Sequence, residues 1–159
     1  MDVLLNALRH NASLNPAQLA AALNLSEAEV RERILKFEAL GVLLGYRAIL
    51  NEEKLDQQRV RAVIEVKITP ERGGGFDKLA ERISKYAEVR SCHLMSGGYD
   101  LLVEVEGNNL REVASFVSEK LSTLQGVLST ATHFVLRAYK EYGVLMKAEV
   151  NEERLAVAP

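Results

Sequence analysis

Residues 94–107, LMSGGYDLLVEVEG, place a small polar turn directly before an apolar strand. Gly97 and Gly98 precede Tyr99 and Asp100, and a carboxylate at the mouth of a buried strand must find a hydrogen-bond partner. That partner is a loop amide, an arginine of a neighbouring chain or the ammonium of a ligand. We expect both glycines to adopt positive φ in a tight hairpin, and their missing side chains let a ligand approach the backbone closely.

A second candidate site is the charged segment 26–39, SEAEVRERILKFEA. Arg31, Arg33 and Lys36 can contact phosphates or guanine edges in a DNA major groove, and the alternative is a solvated face on a packing helix. Residues 1–58 hold six Lys and Arg against eight Asp and Glu, a net charge of −2. Phosphate neutralisation drives nonspecific binding, so we expect weak DNA affinity per domain and dependence on several domains acting together.

Metal and enzyme chemistry find little support in the sequence. Cys92 and His93 are adjacent on a predicted strand and therefore point to opposite faces, and no Cys-x-x-Cys or His-x-x-x-His spacing occurs. The glycine-rich stretch PERGGGFDKL, residues 70–79, lacks the Gly-Lys-Ser/Thr of a phosphate loop and is read as a turn. We expect no metal site within one protomer, no cofactor, no catalytic constellation and no enzyme activity.

Length and composition describe an ordinary globular protein. The chain has 159 residues, of which 48% are hydrophobic and 26% charged, and its net charge of −2 indicates no particular partner. We expect no signal peptide and no membrane span, because charged and polar residues interrupt every apolar run. One cysteine excludes an intrachain disulfide and favours a cytoplasmic location.

The first half of the chain has the periodicity of three helices. Residues 2–11 carry an apolar helical stripe, a second helix begins at the cap Asn15 and the proline after it, and a third begins with the capping box of Ser26 and Glu29. Gly41 is expected to end the third helix in the left-handed conformation. The predicted inner faces are Leu19, Ala20 and Leu23 on the second helix and Val30, Ile34, Phe37 and Leu40 on the third.

A short hairpin is predicted to follow these helices. Residues 42–50, VLLGYRAIL, read as two strands around Gly45, which would form a wing beside a helix-turn-helix. The winged helix-turn-helix domain is therefore predicted over residues 1–50, and the polar residues 51–58, NEEKLDQQ, are predicted as its linker.

Residues 59–142 are predicted to form a second domain with the order β-α-β-β-α-β. The predicted strands are 60–69, 89–96, 99–107 and 126–139, and the predicted helices are 76–86 and 109–123. This is the ferredoxin-like order, so the fold class is α+β. Residues 143–159 are predicted as a C-terminal tail.

The last predicted strand has two apolar faces. Helices cover one face of such a sheet, so an apolar second face indicates pairing with another protomer. The predicted faces are Leu128, Phe134 and Leu136 on one side and Val127, Ala131 and Val135 on the other.

From about residue 2 to residue 142, the sequence resembles the Lrp/AsnC, or feast/famine, transcriptional regulators. The matching segments are LAAALNLSEAEVRERILKFEALGVLLGYRAIL, MSGGYDLLVEV and GVLSTATHFVLR. The resemblance implies binding of double-stranded operator DNA, and homodimers formed by the second domain that assemble into higher oligomers. It also implies a small effector, often an amino acid, bound near the Gly-x-Tyr-Asp turn at an interface between dimers.

The resemblance assigns two sets of site residues. The DNA-binding set is Ser26, Ala28, Arg31, Arg33, Lys36 and Arg47. The effector-binding set is Met95, Ser96, Gly97, Gly98, Tyr99, Asp100, Thr130 and Thr132. Two alternatives remain open: a metabolite-binding assembly module with little DNA affinity, and an enzyme resembling the sirohaem decarboxylases that share this architecture.

Overall fold

The computed structural model describes residues 1–56, 59–70 and 75–146. It divides the chain into two compact units, residues 1–49 and residues 50–159. The predicted linker, the predicted tail and the predicted glycine turn each lie partly outside the described residues.

The first unit consists of the three predicted helices, α1 (Val3–His10), α2 (Pro16–Leu23) and α3 (Glu27–Ala39). They pack around the buried side chains of Leu4, Leu8, Leu19, Ala20 and Val30, with Ile34 and Phe37 partly buried beside them. Leu40, predicted on the inner face, is instead 64% exposed, because α3 ends before it and the chain turns away.

Local side-chain caps fix the ends of these helices. The complete capping box is at α2, where the Asn15 side chain accepts from the Gln18 amide at 2.8 Å and the Gln18 side chain accepts from the Asn15 amide at 2.9 Å. At α3 half of the predicted box forms: Ser26 Oγ accepts from the Glu29 amide at 3.2 Å, while the Glu29 carboxylate pairs with Arg33.

Gly41 ends α3 as predicted. Its φ is +67°, its amide donates to the Glu38 carbonyl at 3.0 Å, and the Val42 amide donates to the Phe37 carbonyl at 2.9 Å. These two bonds are the pair that defines a Schellman motif, which satisfies carbonyls left free at the helix end.

The predicted wing is not formed as a hairpin, because residues 42–50 contain no strand. Apart from Leu43, their apolar side chains face solvent; Leu44 is 91% exposed and Tyr46 is 53% exposed. A two-stranded hairpin without a packed face is marginal in water, and of residues 42–50 only Leu43 packs against the helical core of this unit.

The second unit is an antiparallel four-stranded sheet with helices on one face. Its strands are β1 (Val60–Ile68), β2 (Val89–Leu94), β3 (Leu101–Gly107) and β4 (Val127–Phe134), in the spatial order β2-β3-β1-β4. The helices are α4 (Asp77–Ser84) and α5 (Leu110–Ser115), and α5 continues into a π-helical turn, Phe116–Leu121. The predicted ferredoxin-like order is confirmed.

Two short elements lie outside the predicted pattern. A 3-10 turn, Glu52–Lys54, precedes the sheet, and a two-stranded hairpin of β5 (Lys140–Glu141) and β6 (Val144–Leu145) follows it. The sequence prediction assigned neither of them.

The predicted faces of β4 are wrong, because a bulge shifts its register. Ile68 lies opposite Val127 while Lys67 lies opposite Ser129, so Leu128 is the extra residue. Val127 and Phe134 consequently both pack against the core, and the alternation beyond the bulge leaves Ser129, Ala131 and His133 on the open face.

The open face of the sheet is largely ionic. Glu104 binds Arg61, Glu106 binds Arg59 and Arg90, and Glu65 lies 3.4 Å from His133. The prediction of a second apolar face is therefore corrected.

Candidate functional site

The turn between β2 and β3 is held by the backbone and side chain of Asp100. The Met95 amide donates to the Asp100 carbonyl at 2.8 Å, and the Asp100 amide donates to the Val66 carbonyl at 3.0 Å. The carboxylate oxygen Oδ2 accepts from the Ile68 amide at 2.8 Å.

The strand register explains this use of a carboxylate. Val66 lies opposite Leu101, so the ladder would next place Ile68 opposite residue 99. The chain leaves the sheet at Asp100 instead, and the carboxylate accepts from an amide that would otherwise be unpaired. Three partners were considered for the Asp100 carboxylate, and the one present in the structure is a main-chain amide of the same chain.

The prediction of positive φ at Gly97 and Gly98 is wrong, because neither residue adopts it. Six residues, 95–100, connect β2 to β3, so the turn is not the two-residue hairpin that requires positive φ. A Cβ atom built on either glycine meets no atom within 4 Å. The surface around the two glycines is therefore open within one protomer.

The predicted effector residues separate into two groups in one chain. Met95, Ser96 and the glycines are exposed, and Tyr99 and Asp100 are half-buried in the turn. Thr130 and Thr132 lie on β4, opposite Val66 and Ile64, and β1 separates them from β3.

Thr130 has a partner of its own, since its hydroxyl lies 3.3 Å from Ser122 Oγ. One protomer does not bring the two threonines against the turn.

In α3 the two predicted DNA-binding arginines are paired with glutamates one turn earlier. Arg31 Nε donates to Glu27 Oε1 at 3.0 Å, and Arg33 Nη2 donates to Glu29 Oε1 at 2.7 Å. Exposed pairs of this kind contribute about 0–1 kcal/mol, so a phosphate can displace the carboxylate at small cost. Lys36 is exposed and has no ion-pair partner within residues 1–56, 59–70 and 75–146.

The remaining predicted DNA contacts differ in how they are placed. Ala28 is exposed on the first turn of α3, and Arg47 is exposed in the segment without a strand. Ser26 is exposed too, but its hydroxyl is already used as the helix cap.

The cysteine and histidines of the sheet do not converge. Cys92 is half-buried on the helix side with its Sγ 4.0 Å from the Ala80 carbonyl, and burial raises the pKa of its thiol. His93 is exposed on the next position of the same strand. Within the described ranges, no three side chains of the types that bind metals lie together.

Sequence reasoning missed a charged cluster at the start of β1. Arg61 donates through Nη2 to Glu104 at 2.7 Å and through Nη1 to Glu141 at 2.8 Å, and all three side chains are about one-fifth exposed. Burial acts to lower the pKa of Arg61, but hydrogen bonds to Glu141 and Glu104 raise it well above its ordinary value. Opposite charges on β1 and β3 could have indicated Glu104 as a partner of Arg61. Glu141 could not be found in this way, because it lies on a hairpin that the sequence did not predict.

No helix among the residues placed by the structure has both the length and the apolar character to cross a bilayer.

Comparison with known proteins identifies each half of the chain separately. Residues 3–38 match the family model described as the AsnC-type helix-turn-helix domain. Residues 61–145 match the model described as the Lrp/AsnC ligand binding domain.

Whole-chain relatives agree with these matches. The chain is 42% identical over 157 residues to the HTH-type transcriptional regulator YugG of Bacillus subtilis (strain 168), covering 98% of this chain and 95% of that protein. It is 30% identical to a proline dehydrogenase transcriptional activator of Rhizobium radiobacter, covering 89% and 90% of the two chains.

A solved structure shows the same fold. The crystal structure of a transcriptional regulator from Neisseria meningitidis in complex with L-Met has a TM-score of 0.69 and 26% sequence identity, covering 89% of this chain and 93% of that chain.

Proposed function

The chain belongs to the Lrp/AsnC family of transcriptional regulators, and we propose that it reads operator DNA with α3 and responds to an amino acid bound at the turn of residues 95–100. The observation that carries the first part is the capped α2–α3 pair, since this unit matches the family's helix-turn-helix over residues 3–38. A recognition helix presents its N-terminal residues to base edges, and α3 presents Ala28 and Arg31 to solvent in its N-terminal half and Lys36 in its last turn.

The effector part rests on the openness of the turn. The glycines leave their backbone uncovered, and Asp100 keeps its second oxygen, Oδ1, without a hydrogen bond from the described residues. A ligand ammonium fits such an oxygen, and loop amides suit a carboxylate. The relative from Neisseria meningitidis was solved with L-Met, an amino acid, which supports the same ligand class here.

Assembly is the third part of the proposal. Homodimers that build higher oligomers would place several helix-turn-helix units on one DNA and compensate for the net charge of −2 of residues 1–58. Apolar side chains next to the turn support an interface there, since Leu94 is 58% exposed and Met95 is 37% exposed.

The full chain at tens of micromolar is expected to sediment as a dimer or a larger species, and Leu94→Lys is expected to shift it toward smaller species. Leu110→Lys is the matched control, because Leu110 is 59% exposed but lies at the start of α5, away from the turn. A monomeric wild type, or equal effects of the two variants, would contradict an interface at the turn.

DNA binding is tested by a gel shift on the promoter region of the protein's own gene, measured at several salt concentrations. Lys36→Ala is expected to flatten the salt slope by about one unit, and Arg31→Ala is expected to weaken specific binding by about 1–3 kcal/mol if it reads a base. Arg9→Ala is the control, since it removes the same charge from α1.

One substitution in an ion pair of α3 is expected to change DNA affinity in the opposite direction. Glu27→Gln is expected to strengthen binding, because it frees Arg31 and removes a negative charge near the phosphates. If Arg9→Ala weakens binding as much as Lys36→Ala does, α3 is not the DNA-reading helix. If no variant changes an already negligible affinity, the chain is an assembly module with little DNA affinity.

A further inference from the structure

A cavity of about 100 Å³ lies in the second unit at the start of β1. The turn of residues 95–100 is at the other end of this nine-residue strand, roughly 30 Å away at strand rise. An engineered protein cavity of about 150 Å³ accommodates benzene, so this cavity suits a molecule of a few heavy atoms.

The polar lining of the cavity carries both signs of charge. The guanidinium groups come from Arg59, Arg61 and Arg137, and the carboxylates come from Glu52, Glu53 and Glu141.

These charges are already oriented by pairing with one another. Arg61 Nη1 donates to Glu141 at 2.8 Å, and Arg137 Nε donates to Glu53 at 2.8 Å. A guanidinium has five N–H donors, and the two bonds of Arg61 to Glu104 and Glu141 use two of them. Donors therefore remain for a bound carboxylate, and a carboxylate of the wall can receive an ammonium.

Apart from Asn51, the rest of the wall is apolar. Leu50, Val135 and Met146 line the cavity beside the charged groups. Val135 and Met146 are half-buried, whereas Leu50 is 57% exposed, so the preformed apolar part of the wall consists of Val135 and Met146. This surface can cover a short hydrocarbon group of a bound molecule.

We propose that this cavity is a second small-molecule site, which binds a small zwitterion with one carboxylate and one ammonium. The carboxylate lies against the arginines, because guanidinium groups bind carboxylates through paired N–H donors. The ammonium lies against the glutamates, and the short apolar part contacts Val135 and Met146.

The cavity is separate from the proposed effector turn, and a ligand bound in it affects a different part of the chain. Residues 51–53 line the cavity and follow the helix-turn-helix unit almost directly in the chain. A ligand that links residues 51–53 to the sheet restrains the segment that follows the DNA-reading unit. Ligand binding in the cavity and DNA binding are therefore coupled.

The test is a calorimetric titration of the full chain with glycine, L-alanine and L-serine, repeated as a thermal-shift measurement. Acetate and methylammonium serve as probes with one charge each. A zwitterion is expected to bind at least about tenfold more tightly than either single-charge probe, a difference of about 1.4 kcal/mol. Equal binding of acetate and glycine would overturn the zwitterion assignment.

Arg59 and Arg90 provide a matched pair of variants. Both are about half exposed and both bind Glu106, through Nε at 3.1 Å and 2.8 Å, but Arg59 lines the cavity and Arg90 is not among its lining residues. Arg59→Ala is expected to weaken zwitterion binding at least about tenfold, and Arg90→Ala is expected to leave it unchanged. Ala138→Leu is a second variant, which fills the cavity without changing charge. Thermal melts check that each variant folds.

Asp100→Asn separates this site from the turn. Binding that survives Asp100→Asn and is lost in Arg59→Ala and Ala138→Leu belongs to the cavity. Binding that is lost in Asp100→Asn and retained in both cavity variants belongs to the turn and overturns the proposal. Failure of every zwitterion to bind the wild type at about 10 mM, by calorimetry and thermal shift, overturns it as well.

Discussion

Replacement of Arg61 by alanine is expected to lower the free energy of unfolding by about 2 kcal/mol. The substitution leaves Glu104 and Glu141 facing the same space without a cation, each carboxylate being only about one-fifth exposed. Removing one partner of a fully buried ion pair costs about 3–5 kcal/mol, and the remaining exposure of this cluster reduces that value. Chemical denaturation with a two-state fit measures the change.

Arg90→Ala is the control for the loss of a surface arginine. Arg90 pairs with Glu106 at 2.8 Å but is 44% exposed, so its removal is expected to cost about 0–1 kcal/mol. The triple variant Arg61→Met, Glu104→Gln, Glu141→Gln is expected to recover much of the loss, because no uncompensated charge remains. Equal stability of Arg61→Ala and Arg90→Ala would show that water already solvates the cluster.

Features that depend on neighbouring residues were predictable from the sequence. The Asn15 cap, the Ser26 cap and the left-handed Gly41 each involve atoms within five residues of one another, so a short motif contains all the groups concerned. The strand and helix order of the second unit was predictable for a similar reason, since each element shows its own apolar period.

Features set by distant pairing were not predictable. The bulge at Leu128 depends on which residues of β1 meet β4, and no local pattern marks it. The absence of positive φ at Gly97 and Gly98 follows from a six-residue connection, whose length depends on where the sheet ends. The wing prediction treated residues 42–50 as two strands around Gly45, but strands need a partner surface.

The candidate sites divide in the same way. The position of the turn was predictable, but the partner of Asp100 is an amide 32 residues away along the chain. The pairing of Arg31 with Glu27 and of Arg33 with Glu29 was within reach of the sequence, because glutamate four residues before arginine is the favoured helical spacing. The net charge of residues 1–58 predicted weak DNA affinity, but it did not identify these ion pairs.

Asp100 is expected to have two separable roles, which two substitutions distinguish. Asp100→Ala removes the acceptor of the Ile68 amide and is expected to lower the free energy of unfolding by about 1–3 kcal/mol, the cost of an unsatisfied half-buried donor. Asp100→Asn keeps an acceptor oxygen at the same place, so it is expected to cost less than about 1 kcal/mol. Asp56→Asn is the control, since Asp56 is exposed and distant in sequence from the turn.

The second role is measured by ligand binding. A thermal-shift screen of the twenty amino acids is run on the wild type, and any effector raises the melting temperature by mass action, with about 2.7 kcal/mol of stabilisation at a hundredfold excess over Kd. If the Asp100 carboxylate receives the ammonium, Asp100→Asn is expected to reduce that shift strongly while its unliganded melting temperature stays near the wild-type value. Because Oδ2 is occupied by the Ile68 amide, the free Oδ1 is the atom that this substitution tests. An unchanged ligand shift in Asp100→Asn, together with a lower melting temperature in Asp100→Ala, would make Asp100 a carboxylate that closes the sheet and binds no effector.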